Sequence, residues 1–324
     1  MVQGKKNVLL YLVFVFVIFL STGWFEQVRS QPKYPTRPVD IIVGFPAGGS
    51  TDIATRTMAF YLEKRWGTRV NVINKPGGNA IPAILEVLKA APDGYTLFGD
   101  GSTSCSLLHV AHKDLPFKIT DRNLISIWAF SPQVVFVQPA SPFKTLKDAE
   151  AEAKKDPENF TWTSLGGGSP QDFYMKQFFK SIGVDILKTK PVMCKGGAQT
   201  ITLTAGGHVK LGSSALATTI PPAKAGTVRM LALTSKARWP DLPDVPTTQE
   251  LGYEELTFMP YVNVSGPLNL PSHVMEVWNR TLQEMVKDSE MISKMRGIGL
   301  VPHFLNSQES KNYILREIEQ LNKL

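Results

Sequence analysis

Apolar positions along the chain fall into two kinds of run. Val39–Phe45 (VDIIVGF) is almost continuously apolar and β-branched, which reads as a strand buried on both faces. Val70–Ile73, Tyr95–Phe98, Val134–Val137, Thr161–Ser164, Met230–Thr234 and Phe258–Val264 predict further strands. Helical spacing takes over between them. Ser50 and Thr51 are N-cap candidates for a helix to about Arg65, with Ile53, Phe60 and Tyr61 on one face. Pro82–Ala90 and Thr145–Lys155 predict two more helices, and Val274, Val277, Trp278, Leu282 and Met285 form the stripe of a helix over Ser272–Val286. Asn306 and Glu309 resemble a capping box opening Asn306–Leu324, whose stripe is Ile314, Ile318 and Leu321. Asn74–Asn79 and Pro92-Asp93-Gly94 punctuate the series as loop and turn. Strands alternating with helices predict an α/β fold with mainly parallel sheets.

The first thirty residues read as an address. Lys5 and Lys6 precede an apolar run from Val8 to Leu20, thirteen residues long and too short to span a bilayer comfortably. Polar Ser21, Thr22 and Gly23 follow, and Val28 and Ser30 sit at −3 and −1 of a cut before Gln31, the pattern of a secretory signal peptide. The expected mature chain, 31–324, is exported. No later segment reaches the ~20 consecutive apolar residues of a spanning helix.

Of 324 residues, 43% are hydrophobic and 19% charged, which excludes a disordered chain. Two cysteines exclude a disulfide scaffold and a four-cysteine zinc module. The net charge of +7 is scattered, with no run of five basic residues, so no nucleic-acid partner is expected. A mildly basic surface suits an anionic small ligand better.

Two glycine-rich turns each follow a strand and open a helix: Phe45-Pro46-Ala47-Gly48-Gly49-Ser50-Thr51-Asp52, and Ser164-Leu165-Gly166-Gly167-Gly168-Ser169-Pro170-Gln171-Asp172. Free N–H groups at a helix N-terminus, backed by the helix dipole, suit an anion. Glycine admits a ligand close to the backbone, and Ser and Thr hydroxyls cap the helix or donate to a carboxylate. Neither turn is a P-loop or G-x-G-x-x-G. No G-x-S-x-G, H-E-x-x-H or zinc spacing appears, so an enzyme is not expected, nor a cofactor.

The sequence resembles the extracytoplasmic solute receptors of the tripartite tricarboxylate transporter family, the Bug receptors. The resemblance runs through Tyr34–Pro38, Val43–Asp52, Asn74–Gly78, Ala91–Leu97, Lys195–Gln199, Lys224–Gly226, Leu231–Thr234 and Leu242–Thr247. It implies a two-lobe type II periplasmic-binding-protein fold with a hinge of two crossings. It also implies a small carboxylate held between the two glycine turns by amides, hydroxyls and waters, and delivery to membrane permease subunits. Phe45, Ala47, Gly48, Gly49, Ser50 and Asp52 then belong to the first lobe's turn, and Ser164, Gly168 and Ser169 to the second's. The expected lobes are 34–132 with 257–324, and 133–256, in a periplasmic monomer cut near Ser30. A sensor presenting its ligand to a signalling partner is the alternative.

Four positions depart from the family pattern: Asp172 where His is common, Cys194 for a Tyr, Leu203 for an acidic residue, and a shorter loop after Pro76. A carboxylate at 172 would repel an anion, so Asp172 is expected to point away or cap its helix. Asp52 either orders its turn or selects an amine. Lys195 either pairs a ligand carboxylate or is solvated. Thr103, with Ser102 and Ser104, follows the third strand, where a cleft hydroxyl would lie. His109, His112 and Asp114 suggest a metal less than a surface or packing role. Cys105 and Cys194 are expected on different lobes as free thiols.

Overall fold

The computed structural model describes residues 33–322 apart from Gly167. The expected signal peptide, 1–30, lies outside the described residues, and so do the last two residues of the predicted final helix.

The chain runs β1 (Val39–Val43), α1 (Ser50–Trp66), β2 (Val70–Asn74), α2 (Ile81–Leu88) and β3 (Thr96–Gly101). A π-helical turn, Thr103–Leu107, leads into α3 (Leu108–Ala111). Then come β4 (Arg122–Phe130), β5 (Gln133–Val137), α4 (Leu146–Lys155), β6 (Thr161–Ser164), α5 (Pro170–Ser181) and β7 (Lys190–Met193). They are followed by α6 (Gly197–Ala205), β8 (Gly212–Ala215), α7 (Leu216–Lys224) and β9 (Arg229–Leu233). The chain closes with β10 (Tyr261–Pro267), α8 (Ser272–Met285), α9 (Ser289–Gly297), β11 (Val301–Leu305) and α10 (Ser307–Leu321).

The larger sheet has the order β11-β4-β10-β3-β1-β2. Its β3-β1-β2 half is parallel, in the register Val39↔Val70 and Ile41↔Leu97, as buried βαβ strands require. β10 returns from the far end of the chain and inserts antiparallel between β3 and β4, and β11 is antiparallel to β4. Of the remaining strands, β6 and β7 pair in parallel, while β5 is antiparallel to both β8 and β9. A parallel bridge between Trp162 and Leu211 joins these two groups. The sheets are therefore mixed, parallel where helices link successive strands and antiparallel where the chain returns.

Both faces of the larger sheet are covered. On one, Ile41, Met58, Leu62, Trp128, Trp278 and Leu282 are buried together between the sheet, α1 and α8. The indoles of Trp66 and Trp278 meet edge-on with centroids 4.9 Å apart, and Trp278 Nε1 donates to Tyr34 Oη at 2.8 Å. On the other, Ile42, Ile84 and Phe98 bury α2, while Ile127, Tyr261, Cys105 and Ile314 bury α10. Each such large apolar side chain contributes about 1.5–3 kcal/mol by leaving water. The β5–β9 region has its own core, with Phe160, Trp162, Tyr174 and Phe178 against α4 and α5, and Phe136, Leu216 and Ile220 under α7.

Expected boundaries shift where local chemistry overrides the apolar pattern. β1 ends at Val43, and a methyl group at Gly44 would lie 2.3 Å from Ala80 Cβ. β10 starts after Pro260, which has no N–H for a ladder. The Asn306–Glu309 capping box forms as expected: Glu309 N donates to Asn306 Oδ1 at 3.0 Å, and Asn306 N to Glu309 Oε2 at 2.9 Å.

Candidate functional site

A cavity of about 1130 Å³ lies between the carboxyl ends of β1 and β3 on one side and the segments after β6, β7 and β8 on the other. The walls approach each other at two places. A methyl group placed on Gly196 would lie 3.8 Å from Pro46 Cγ, and one on Gly168 would lie 3.1 Å from Ala111 Cβ.

The first glycine turn forms one wall. Gly48 has φ +76°, a left-handed conformation that glycine takes without strain. Its N–H donates to Asp52 Oδ2 at 2.9 Å. Asp52 is buried and also accepts from Arg56 Nε at 3.0 Å and Asn74 Nδ2 at 2.8 Å. Burial alone would raise the Asp52 carboxyl, but Arg56, the Gly48 N–H and Asn74 together hold it below the usual carboxylate range. Asp52 and Gly48 therefore frame the turn from behind and do not line the cavity, while Phe45, Ala47, Gly49, Ser50 and Thr51 do. Gly49 is the N-cap of this 17-residue helix, α1, and supplies no side-chain cap to its first-turn N–H groups.

The second glycine turn is built differently. Ser169 caps α5, accepting from Asp172 N at 3.1 Å. The hydroxyls of Ser164 and Ser169 both donate to the Asp172 carboxylate, which also accepts from Leu165 N at 2.9 Å. Asp172 therefore caps its helix. Burial outweighs these donors and pushes its carboxyl above the usual range. Gly168 and Ser169 line the cavity, whereas Ser164 faces Asp172 and does not.

A third segment carries Lys195, the candidate partner for a ligand carboxylate. Cys194, Lys195, Gly196, Gly197 and Gln199 all line the cavity. Gly196 is the N-cap of α6 and likewise gives no side-chain cap. Cys194 N is anchored to Ser164 O at 2.7 Å, and Lys195 N to Gln199 Oε1 at 2.7 Å. A methyl group on Gly197 would lie 3.2 Å from Ser214 Oγ, so glycine lets α6 start against β8.

The floor is the place where strands leave the larger sheet. Thr103 lines the cavity beside Ser102, whose Oγ accepts from Tyr261 N at 2.8 Å. Ser131 and Gln133 were missed. Both are buried against the cavity, and neither Ser131 Oγ nor Gln133 Oε1 has a hydrogen-bond partner among the described residues. Among the described residues lining the cavity, Lys195 is the single lysine, and there is no arginine, aspartate or glutamate. His112 lines it too, 3.1 Å from Asn79 Nδ2, while His109 packs on Phe117 with Nδ1 2.6 Å from Cys105 O. Cys105 and Cys194 are both buried and unpaired.

A family model described as the tripartite tricarboxylate transporter family receptor matches residues 54–324. The chain belongs to this family. The receptor is 26% identical to protein BugT of Bordetella pertussis over 311 residues, 95% of this chain and 94% of BugT. It is 28% identical to a protein from the TAR-I ttuE-ttuC' intergenic region of Agrobacterium vitis, over 89% of this chain and 83% of that one. Among solved structures, an R. palustris protein with adipate superposes with TM-score 0.84 at 25% identity, covering 90% of this receptor and 97% of that chain. The periplasmic binding protein BugD superposes with TM-score 0.81 at 24% identity over 90% and 97% of the two chains. The α/β two-lobe fold expected from the sequence is thus that of periplasmic receptors of this family.

Proposed function

We propose that this receptor captures a small carboxylate in the 1130 Å³ cavity and delivers it to permease subunits in the membrane. One observation carries the reading: helix N-termini without side-chain caps, those of α1 and α6 among them, open into a cavity whose fixed charge is Lys195 alone among the described lining residues. Backbone N–H groups at a helix start, with the dipole behind them, favour an anion and need no general base. The similar R. palustris protein with adipate supports a carboxylate as the anion.

In this reading the lobes are 34–132 with 257–324, and 133–256, and the chain crosses between them at 131–132 and just before β10. Phe45, Ala47, Gly49, Ser50, Thr103, Gly168, Ser169 and Lys195 face the ligand, while Gly48, Asp52 and Ser164 hold the turns. Residues 1–30 direct export and are removed near Ser30, and the receptor works as a monomer. The test is mass spectrometry of small molecules released from gently purified protein, with calorimetry of the identified compound against wild type and Lys195→Met. A carboxylate whose affinity falls about tenfold or more in the variant is expected, since a charged hydrogen bond contributes roughly 1.5–3 kcal/mol. A released compound without an acid group would overturn the reading.

A further inference from the structure

We propose that the ligand is a monocarboxylate with an uncharged body, rather than a short dicarboxylate or an amino acid. The inference rests on the receptor reading above and deepens it.

The starts of α1 and α6, which have no side-chain cap, lie close together. Pro46, in the turn before α1, abuts Gly196, the N-cap of α6. Lys195 immediately precedes Gly196 in the chain, so these positive features converge on one head group. The opposite turn offers no second post of that kind. Asp172 takes the hydroxyl protons of both Ser164 and Ser169 and the N–H of Leu165. A second carboxylate at that turn would meet few free donors and a buried carboxylate just behind them. Like charges brought together out of water repel strongly.

An ammonium group fares no better. With no aspartate or glutamate among the described lining residues, it would be enclosed without a counter-ion. The remaining walls mix apolar Phe45, Pro76 and Leu108 with polar Thr103, Ser131 and Gln133, and hold no carboxylate among the described residues. The volume, about 1130 Å³, exceeds the roughly 300–1,000 Å³ of ordinary ligand pockets, so a body larger than a four-carbon acid is accommodated.

The experiment is calorimetry and thermal shift on purified receptor with a fixed panel. The probes are 3-phenylpropionate and octanoate as monocarboxylates, adipate and malate as dicarboxylates, glutamate as the amino acid, and 3-phenylpropanol as the neutral analogue. The expected result is that at least one monocarboxylate binds roughly tenfold or more tightly than either dicarboxylate, a difference of about 1.4 kcal/mol. Glutamate and the alcohol should not bind measurably. Adipate or malate binding as tightly as the monocarboxylates would overturn this inference and leave the carboxylate receptor intact. Failure of every acid in the panel would overturn both. Asp172→Asn supplies an independent check. It should raise the affinity for adipate relative to 3-phenylpropionate by about threefold or more, as expected when a like charge is removed. An unchanged ratio would overturn the role given to Asp172.

Discussion

The backbone N–H of Ser131 donates to the carbonyl of Pro260 at 2.8 Å. These residues lie where the chain leaves the larger sheet after β4 and where it returns before β10. This hydrogen bond ties the two segments together at the cavity floor. If the lobes of the proposed function rotate about this pair, ligand should draw the molecule in, which X-ray scattering would record as a smaller radius of gyration. The Ser131 amide should stay protected from hydrogen exchange with and without ligand. Rapid exchange at that amide in the ligand-free receptor would rule out this pair as the pivot.

Ser169→Ala and Ser50→Ala should fail in different ways. Ser169 caps α5 and donates to Asp172, so its loss should cost about 1 kcal/mol or more of stability, seen as a lower urea midpoint. Ser50 has no such structural bond among the described residues. Its replacement should leave the midpoint almost unchanged and weaken ligand binding severalfold, the effect of one hydrogen bond to a charged group. Equal midpoints for the two variants would contradict the asymmetry of the two turns.

Glu317 makes stability depend on pH. It is buried on α10, and desolvation lifts its carboxyl from 4.5 to about 7, against a smaller opposite pull from the Ser106 hydroxyl. The folded value lies above the unfolded one, so the contribution is fully present below about pH 4.5 and is lost as pH rises through 7. The limb is on the order of 3 kcal/mol. In Glu317→Gln, denaturant unfolding between pH 4.5 and 8 should show this limb flattened; an unaltered limb would assign it to another group.

Arg122 and Asp100 form a buried ion pair at 2.8 Å, with Arg122 Nη2 also donating to Ser104 O at 2.7 Å. Ser104 and Ser265 add their hydroxyls to the Asp100 carboxylate. Arg122→Met strands that carboxylate away from water and should cost roughly 3–5 kcal/mol. The double variant Arg122→Met with Asp100→Asn should recover part of the loss, since no buried charge is left unpaired. A double variant no more stable than Arg122→Met would show that packing, rather than the stranded charge, sets the cost.

Cys105 is fully buried, and burial raises both thiols above the ordinary range. Folded receptor should therefore react slowly with a thiol reagent. Under denaturing, non-reducing conditions it should yield two thiols per chain. Recovery of none would reveal a bridge that the fold does not contain.

The parts of this fold that could be read from the chain share a cause. β1 and β3 are short apolar runs ended by glycine and polar residues, and α8 and α10 carry unbroken helical stripes. β4 escaped because Arg122, Asn123 and Ser126 interrupt its apolar residues. Two of them serve buried partners: Arg122 the Asp100 carboxylate, and Ser126 the Leu305 carbonyl at 2.9 Å. β8 is Gly-Ser-Ser-Ala, and α7 contains Pro221 and Pro222, so neither advertises its state. In the site, the glycine turns were visible as local motifs. Ser131 and Gln133 were not, because only the pairing of β4 with β10 and of β5 with β8 brings them to the cavity floor.

The bare start of α1 has a consequence for the lifetime of the protein. A long helix has been left without the side chain that would ordinarily finish it, and in the proposed function the bound acid takes that place. Cargo then serves as a structural part, and the loaded molecule resists unfolding by RT ln(1 + [L]/Kd) more than the empty one. Proteases that act on transiently opened chains would remove idle copies first. Limited proteolysis with and without ligand would show it as slower cutting near residues 45–55. The number of receptors would then follow the supply of what they carry, with no separate regulator.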